Sequence, residues 1–174
     1  GANVLWLTPV YPSPSHHGYD ATDLFNIEPR LGTNADLKAL LDQAHAREMR
    51  VILDFVPNHV SHLHQSFLEA QANKNSPYYD WYNFTQWPDK YESFFGVPTL
   101  PQLNLRNPDA RNYMLDAAAY WLDFGADGYR VDFAIGPAPD FWADFRHVTR
   151  QARPDCWTFG EVVEPPDSQL TFAG

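Results

Sequence analysis

Apolar and polar positions switch between two periods along this chain. Residues 2–7 (ANVLWL) form a short apolar, β-prone run that stops at Thr8-Pro9, the pattern of a buried strand. A loop rich in Pro, Ser, His and Gly follows, up to Gly32-Thr33. Leu37, Leu40, Leu41 and Ala44 then recur at three- and four-residue steps. That spacing predicts a helix over about residues 35–48, capped by Thr33 or Asn34. Residues 50–56 (RVILDFV) read as a second strand, whose near-continuous apolar character fits a sheet buried on both faces. Asn107-Pro108 opens a helix that runs to about Phe124 and stops at Gly125. Residues 126–133 (ADGYRVDF) are a third strand, 139–152 a further helix, and 156–163 (CWTFGEVV) a fourth strand. Between the second strand and its following helix, residues 61–106 show no clear period and hold 10 of the 27 aromatics. A structureless loop of that length is rare in a compact domain. The stretch therefore reads as an inserted subdomain with its own aromatic cluster, including Tyr78, Tyr79, Trp81, Tyr82, Phe84 and Trp87.

The order is strand, helix, strand, insertion, helix, strand, helix, strand, which predicts parallel βα units with right-handed crossovers. Two α/β architectures fit. A doubly wound sheet carries its ligand at a switch point, often with a Gly-rich phosphate loop, and no such loop occurs here. A (β/α)8 TIM barrel places reactive side chains at the C-terminal ends of several strands. Asp54, Asp132 and Glu161 lie at or near strand ends, close to His59 and Arg130. A full barrel takes roughly 250 residues. The expectation is an α/β fold with about half a barrel: residues 1–60 and 107–174 as barrel segments, with 61–106 inserted.

Composition narrows the function classes. Twelve Lys and Arg face 22 Asp and Glu, for a net charge of −10. That acidity argues against a nucleic-acid or anionic-membrane partner. No apolar run approaches the roughly 20 residues of a membrane span. Cys156 is the single cysteine, which excludes an internal disulfide and a Cys-based zinc site. The chain opens on Gly1 and enters a strand at once, as a piece of a longer protein would. No leader is visible, so cytoplasmic and secreted locations, and the oligomeric state, stay open.

Asp132 and Glu161 stand 29 residues apart, one βα unit. On neighbouring strands both carboxylates project into one mouth. Glycoside hydrolysis requires such a pair, one as nucleophile or base and one as proton donor. Each alone reads equally well as an ion-pair partner or a helix cap. Arg130 shares a face with Asp132 by the two-residue strand period, and a guanidinium there holds an aspartate ionised and oriented. Asp54 is the candidate to orient Arg130. Asn58 offers an amide oxygen to a metal, and His59 a donor to a sugar hydroxyl. A His in such a turn is more often structural. After the first strand, His16, His17, Gly18, Tyr19 and Asp20 form a loop in which Tyr19 either stacks on a sugar ring or packs on a neighbour.

Four blocks resemble the motifs of glycoside hydrolase family 13, the α-amylase family. Residues 54–60 (DFVPNHV) resemble its first motif, on the third barrel strand. Residues 128–133 (GYRVDF) resemble the second, with Asp132 in the nucleophile position. Residues 159–162 (FGEV) resemble the third, with Glu161 in the acid/base position, and 100–104 (LPQLN) the extra motif near the end of the family's domain B. Leu5-Trp6-Leu7-Thr8-Pro9 resembles its second strand, and Gly18-Tyr19-Asp20 the block that carries a substrate-site Tyr.

The resemblance implies a retaining α-glycosidase acting on α-glucans or maltooligosaccharides, through α-1,4 and also α-1,6 linkages, with Tyr19, His59 and Arg130 at the substrate. It places the family's fourth motif, with a third carboxylate, beyond Gly174. Many amylases carry Lys-His three and four residues after the nucleophile, where Ile135 and Gly136 stand here. That His supplies a backbone ligand to the amylase calcium. The departure counts against calcium at Asn58 and against a plain amylase, and leaves neopullulanase, cyclomaltodextrinase and α-glucosidase relatives open. No cofactor is otherwise required. Transglycosylation uses the same residues. A magnesium-dependent enolase-type barrel would need a Lys or His base at a strand end; Lys38, Lys74 and Lys90 lie in a helix and the insertion. A barrel-derived binding subunit is the non-enzyme alternative, and the retention of both Asp132 and Glu161 weighs against it.

Overall fold

The computed structural model describes residues 1–163. The end of the expected last segment, residues 164–174, lies outside the described residues. Along the chain, β1 is Val4–Leu7, α1 Asn34–His45, β2 Arg50–Phe55 and α2 Gln65–Ala72. A short hairpin of β3 (Phe84–Gln86) and β4 (Lys90–Tyr91) follows. Then come α3 (Pro108–Phe124), β5 (Gly128–Val131), α4 (Pro139–Ala152) and β6 (Trp157–Gly160). Strands β1, β2, β5 and β6 pair in that order, all parallel.

The helix ends have local causes. Thr33 accepts from the Asp36 amide while Asp36 reaches back to the Thr33 amide, so Thr33 is the cap of α1. Asn107 accepts from the amides of Asp109 and Ala110, and Pro108 at the first position opens α3. Helix α1 ends at His45 rather than near residue 48, because Glu48 takes a left-handed φ of 57° to turn into β2. Strand β5 is shorter than expected at both ends. The Ala126 amide still donates to the Trp121 carbonyl of α3, and Phe133, at φ 44°, turns the chain out of the strand. Strand β6 likewise keeps only the middle of the expected run.

The two faces of the sheet differ. Val51, Leu53, Phe55, Tyr129 and Val131 pack outward on Leu41 of α1, Trp121 of α3 and Phe145 of α4 in one buried cluster. The opposite face carries Trp6, Asp54, Arg130 and Phe159. Flat strands at about 4.8 Å spacing would hold β1 and β6 roughly 14 Å apart. Yet the rings of Trp6 and Phe159 meet at 6.2 Å between centroids, so the sheet curls as a barrel wall does. Gly128 makes the curl possible, since a Cβ there would lie 1.8 Å from the Trp157 carbonyl oxygen.

The insertion contains α2, the hairpin and two single 3-10 turns, Tyr79–Trp81 and Phe94–Gly96. Its aromatics do not form a core apart. Phe67, Trp81 and Tyr82 belong to the main buried cluster, joined to it where Tyr113 of α3 meets Trp81 at 5.4 Å. Among the described residues no helix is long and apolar enough to cross a membrane.

Candidate active site

Strand pairing alone brings the acids to one end. Arg130 stands in register between Asp54 on β2 and Phe159 on β6. Asp132 and Glu161 follow the last residues of their strands by one step. The Asp132 amide donates to the Phe55 carbonyl and the Glu161 amide to the Val131 carbonyl, both at 2.8 Å. The ladder thus fixes both backbones at the C-terminal edge.

Arg130 gathers the carboxylates. Its Nη1 donates to Asp54 Oδ1 at 2.9 Å and to Asp132 Oδ1 at 3.0 Å, and its Nη2 meets Glu161 Oε1 at 2.9 Å. Tyr19 donates its hydroxyl to Asp54 Oδ2 at 3.1 Å, and Trp6 Nε1 donates to the same oxygen at 3.2 Å. The guanidinium lies 5.4 Å from the Trp6 ring and 5.8 Å from the Tyr19 ring. The Phe133 amide donates to Glu161 Oε2 at 3.3 Å. The sequence-predicted Asp54, Arg130, Asp132, Glu161 and Tyr19 therefore form one connected cluster.

One guanidinium serves three carboxylates, and its charge does not cover theirs. Burial pushes the Asp132 carboxyl up to about 6; Arg130 opposes the rise, and the negative charges of Glu161 and Asp54 add to it. Burial also raises Asp54, against the pull of Arg130, Tyr19 and Trp6. Burial disfavours the charge on Arg130, but the surrounding carboxylates outweigh it and raise its pKa. Burial beside Asp54 pushes the Tyr19 phenol up to about 12, so it stays a donor.

His59 is buried next to this cluster rather than inside it. Its ring stacks on Phe94 at 4.5 Å, and its Nε2 has no partner among the described residues. Burial lowers its pKa to about 4, so the ring is neutral at pH 7.

The residues at Asn58 do not fit a calcium ion. Its Nδ2 faces His59 Nδ1 at 3.3 Å, and its Oδ1 lies against Gly136, where only the missing Cβ, which would stand 2.3 Å away, leaves it space. The adjoining cavity of about 510 Å³ is lined by one carboxylate, Glu92, and by two guanidiniums, Arg106 and Arg111. Calcium takes roughly six to eight oxygens, carboxylates prominent among them. Among the described residues no three His, Cys, Asp or Glu side chains converge on a metal position.

Two contributors escaped the sequence reading. Trp6 stood in an apolar run, and only its place on the same strand face as Val4, two residues away, hinted that it points inward. The Phe133 amide gave no signal, because its aim depends on the left-handed turn.

A curled parallel βα array with its acids gathered past the strand ends defines part of a (β/α)8 barrel at its active-site mouth. The family described as "Alpha amylase, catalytic domain" matches residues 1–172, and the chain belongs to that family. It is 43% identical over 175 residues to α-amylase 2 of Dictyoglomus thermophilum, covering 100% of this chain and 31% of that protein. A cyclomaltodextrinase from a Bacillus species is 37% identical, over 93% of this chain and 31% of its own length. Among solved structures, the cyclic α-maltosyl-(1→6)-maltose hydrolase of Arthrobacter globiformis, in complex with cyclic α-maltosyl-(1→6)-maltose, superposes with a TM-score of 0.92 at 34% identity. That match covers 95% of this chain and 39% of the hydrolase. The chain spans about a third of the length of the curated relatives it matches.

Proposed function

We propose that the protein is a retaining α-glycosidase acting on α-glucans or maltooligosaccharides, linked α-1,4 and α-1,6. The observation that carries this is the pairing of Asp132 and Glu161, one step past adjacent parallel strands, on a single guanidinium. The amylase, cyclomaltodextrinase and maltosyl-maltose hydrolase among its relatives support an α-glucan substrate.

Arg130 holds Asp132 Oδ1, which leaves Oδ2 to attack the anomeric carbon as the bond to the leaving oxygen breaks. Glu161 is the acid. It stands one step past the strand beside that of Asp132 and shares its guanidinium, within reach of a leaving group to which it gives a proton. In the second step Glu161 takes a proton from water. That water displaces Asp132 from the sugar, and two inversions restore the configuration. Asp54 supports Arg130. Tyr19 and Arg130 border the sugar, and His59 Nε2 is the open group for a hydroxyl. These steps require no cofactor.

NMR of the first-formed product tests the reading, with the α-anomer expected. In the intact protein, Asp132→Asn and Glu161→Gln each lower kcat by at least about 1,000-fold on maltooligosaccharides. A β-anomer first, or near-normal turnover in either variant, sinks it.

A further inference from the structure

We propose that Trp6 is a positioning residue for the glycosidase reaction: its indole N–H fixes Asp54, Asp54 fixes Arg130, and Arg130 aims Asp132 at the anomeric carbon. The inference deepens the glycosidase reading above and rests on it.

The strand ladder sets up the contact. Trp6 of β1 pairs in register with Ile52 of β2, and Asp54 follows Ile52 by two residues on the same face. The indole has only to lean one pleat toward the C-terminal edge to bring Nε1 to Asp54 Oδ2, at 3.2 Å. Packing does not ask for that bond. Phe159, at 6.2 Å, meets a ring and has no use for an N–H. Trp6 is 50% exposed, so water could satisfy its nitrogen. The nitrogen is aimed instead at a carboxylate that is 1% exposed.

Asp54 has few donors to lose. Among the described residues only side chains donate to it: Arg130 Nη1 to both oxygens, and the Tyr19 hydroxyl and Trp6 to Oδ2. Tyr19 stands in a loop and borders the sugar, whereas Trp6 stands on the ladder. The indole is thus the neutral donor held by the sheet itself. Its ring also lies 5.4 Å from the Arg130 guanidinium, so one side chain steadies both members of the pair. The Arg130 nitrogen that meets Asp54 is the one that meets Asp132, at 3.0 Å. A turn of Asp54 therefore turns the group that aims Asp132.

The charged and titratable groups facing Asp54 are Arg130, the phenols of Tyr19 and buried Tyr11, and, around the guanidinium, Asp132 and Glu161. The carboxylates share their proton equilibria, so a lost donor raises the pH at which the cluster takes up its first proton.

The test removes the N–H and little else. In the intact protein, Trp6→Phe keeps a ring against Phe159 and Arg130. Trp6→benzothienylalanine keeps the full indole outline, with sulfur in place of the N–H. A hydrogen bond to a buried charged group corresponds to roughly a 10- to 100-fold effect. Both variants should lose kcat on maltopentaose by that factor, with KM within about twofold of the parent. The acid limb of kcat/KM should move to higher pH in both. NMR titration of the aspartate carboxyl carbons, without substrate, should show the same upward move. Normal kcat with an unmoved acid limb in the benzothienylalanine variant would overturn the proposal, because Trp6 would then serve packing alone. A loss carried by KM, or a fall in kcat with no change in the pH profile, would overturn it as well. A parent inactive on every α-glucan, with the carboxyl titration shifted as expected, would instead remove the glycosidase reading and leave the contact standing.

Discussion

Replacing Asp132 by Asn should abolish turnover and make the protein more stable. The carboxyl rises from its ordinary 3.8 to about 6 in the folded protein. Two units at about 1.36 kcal/mol each mean that keeping Asp132 ionised costs the fold about 3 kcal/mol at neutral pH. The folded state holds this proton more tightly than the unfolded chain does. Stability is therefore lost as pH rises from below 3.8 through about 6, and the cost is fully present above that. Asparagine imitates the protonated acid and keeps an oxygen for Arg130 Nη1. Breaking a buried ion pair usually destabilises by leaving one charge alone. Here Arg130 retains Asp54 at 2.9 Å and Glu161 at 2.9 Å, so no cation is orphaned. The relief of carboxylate crowding then wins. For a chain of 174 residues, about 3 kcal/mol corresponds to a rise in Tm of roughly 6–12 °C. Thermal melts of both proteins at pH 8 and pH 4 read this directly, with a large gain at pH 8 and almost none at pH 4. Equal Tm values at pH 8, or a gain of the same size at both pH values, would refute the crowding argument.

Two further outcomes follow from the same contacts. Arg130→Lys should cut kcat/KM by at least about 100-fold and move its acid limb above about pH 6, because one ammonium cannot span three carboxylates; a variant within threefold of the parent would contradict the role given to the fork. At the other end of β5, Asp127 accepts from the Val51 amide and pairs with Arg50, His45 and Arg153. Burial pushes its carboxyl up, but these donors outweigh that and hold it below its ordinary value. Its contribution is present at neutral pH and is lost as pH falls below about 4. Asp127→Ala should cost about 3–5 kcal/mol in urea melts at pH 7 and progressively less in acid, and a loss under 1 kcal/mol would show the cluster to be ornamental.

How far the site was legible follows from how each contact is made. Asp132 and Glu161 could be placed from sequence because a parallel ladder leaves little choice: a residue just after a buried run emerges at the C-terminal edge. Arg130 followed by the two-residue period, and Asp54 by lying in the neighbouring strand. These inferences need only local backbone rules and the order of strands. The contacts that were missed all depend on curvature or on a turn. Trp6 can meet Phe159 only because the sheet bends until β1 approaches β6, and that bend rests partly on the bare Cα of Gly128. No periodicity encodes the angle between strands. Phe133 brings its amide to Glu161 through left-handed backbone, which its own side chain disfavours. Local propensity therefore points away from the geometry it adopts. The same limit explains the aromatic insertion. Its composition announced a core, but only the placement of Tyr113 shows that this core continues into the barrel wall. Reactive groups at strand ends are thus readable from pattern, whereas the residues that shape the mouth around them are set by departures from it.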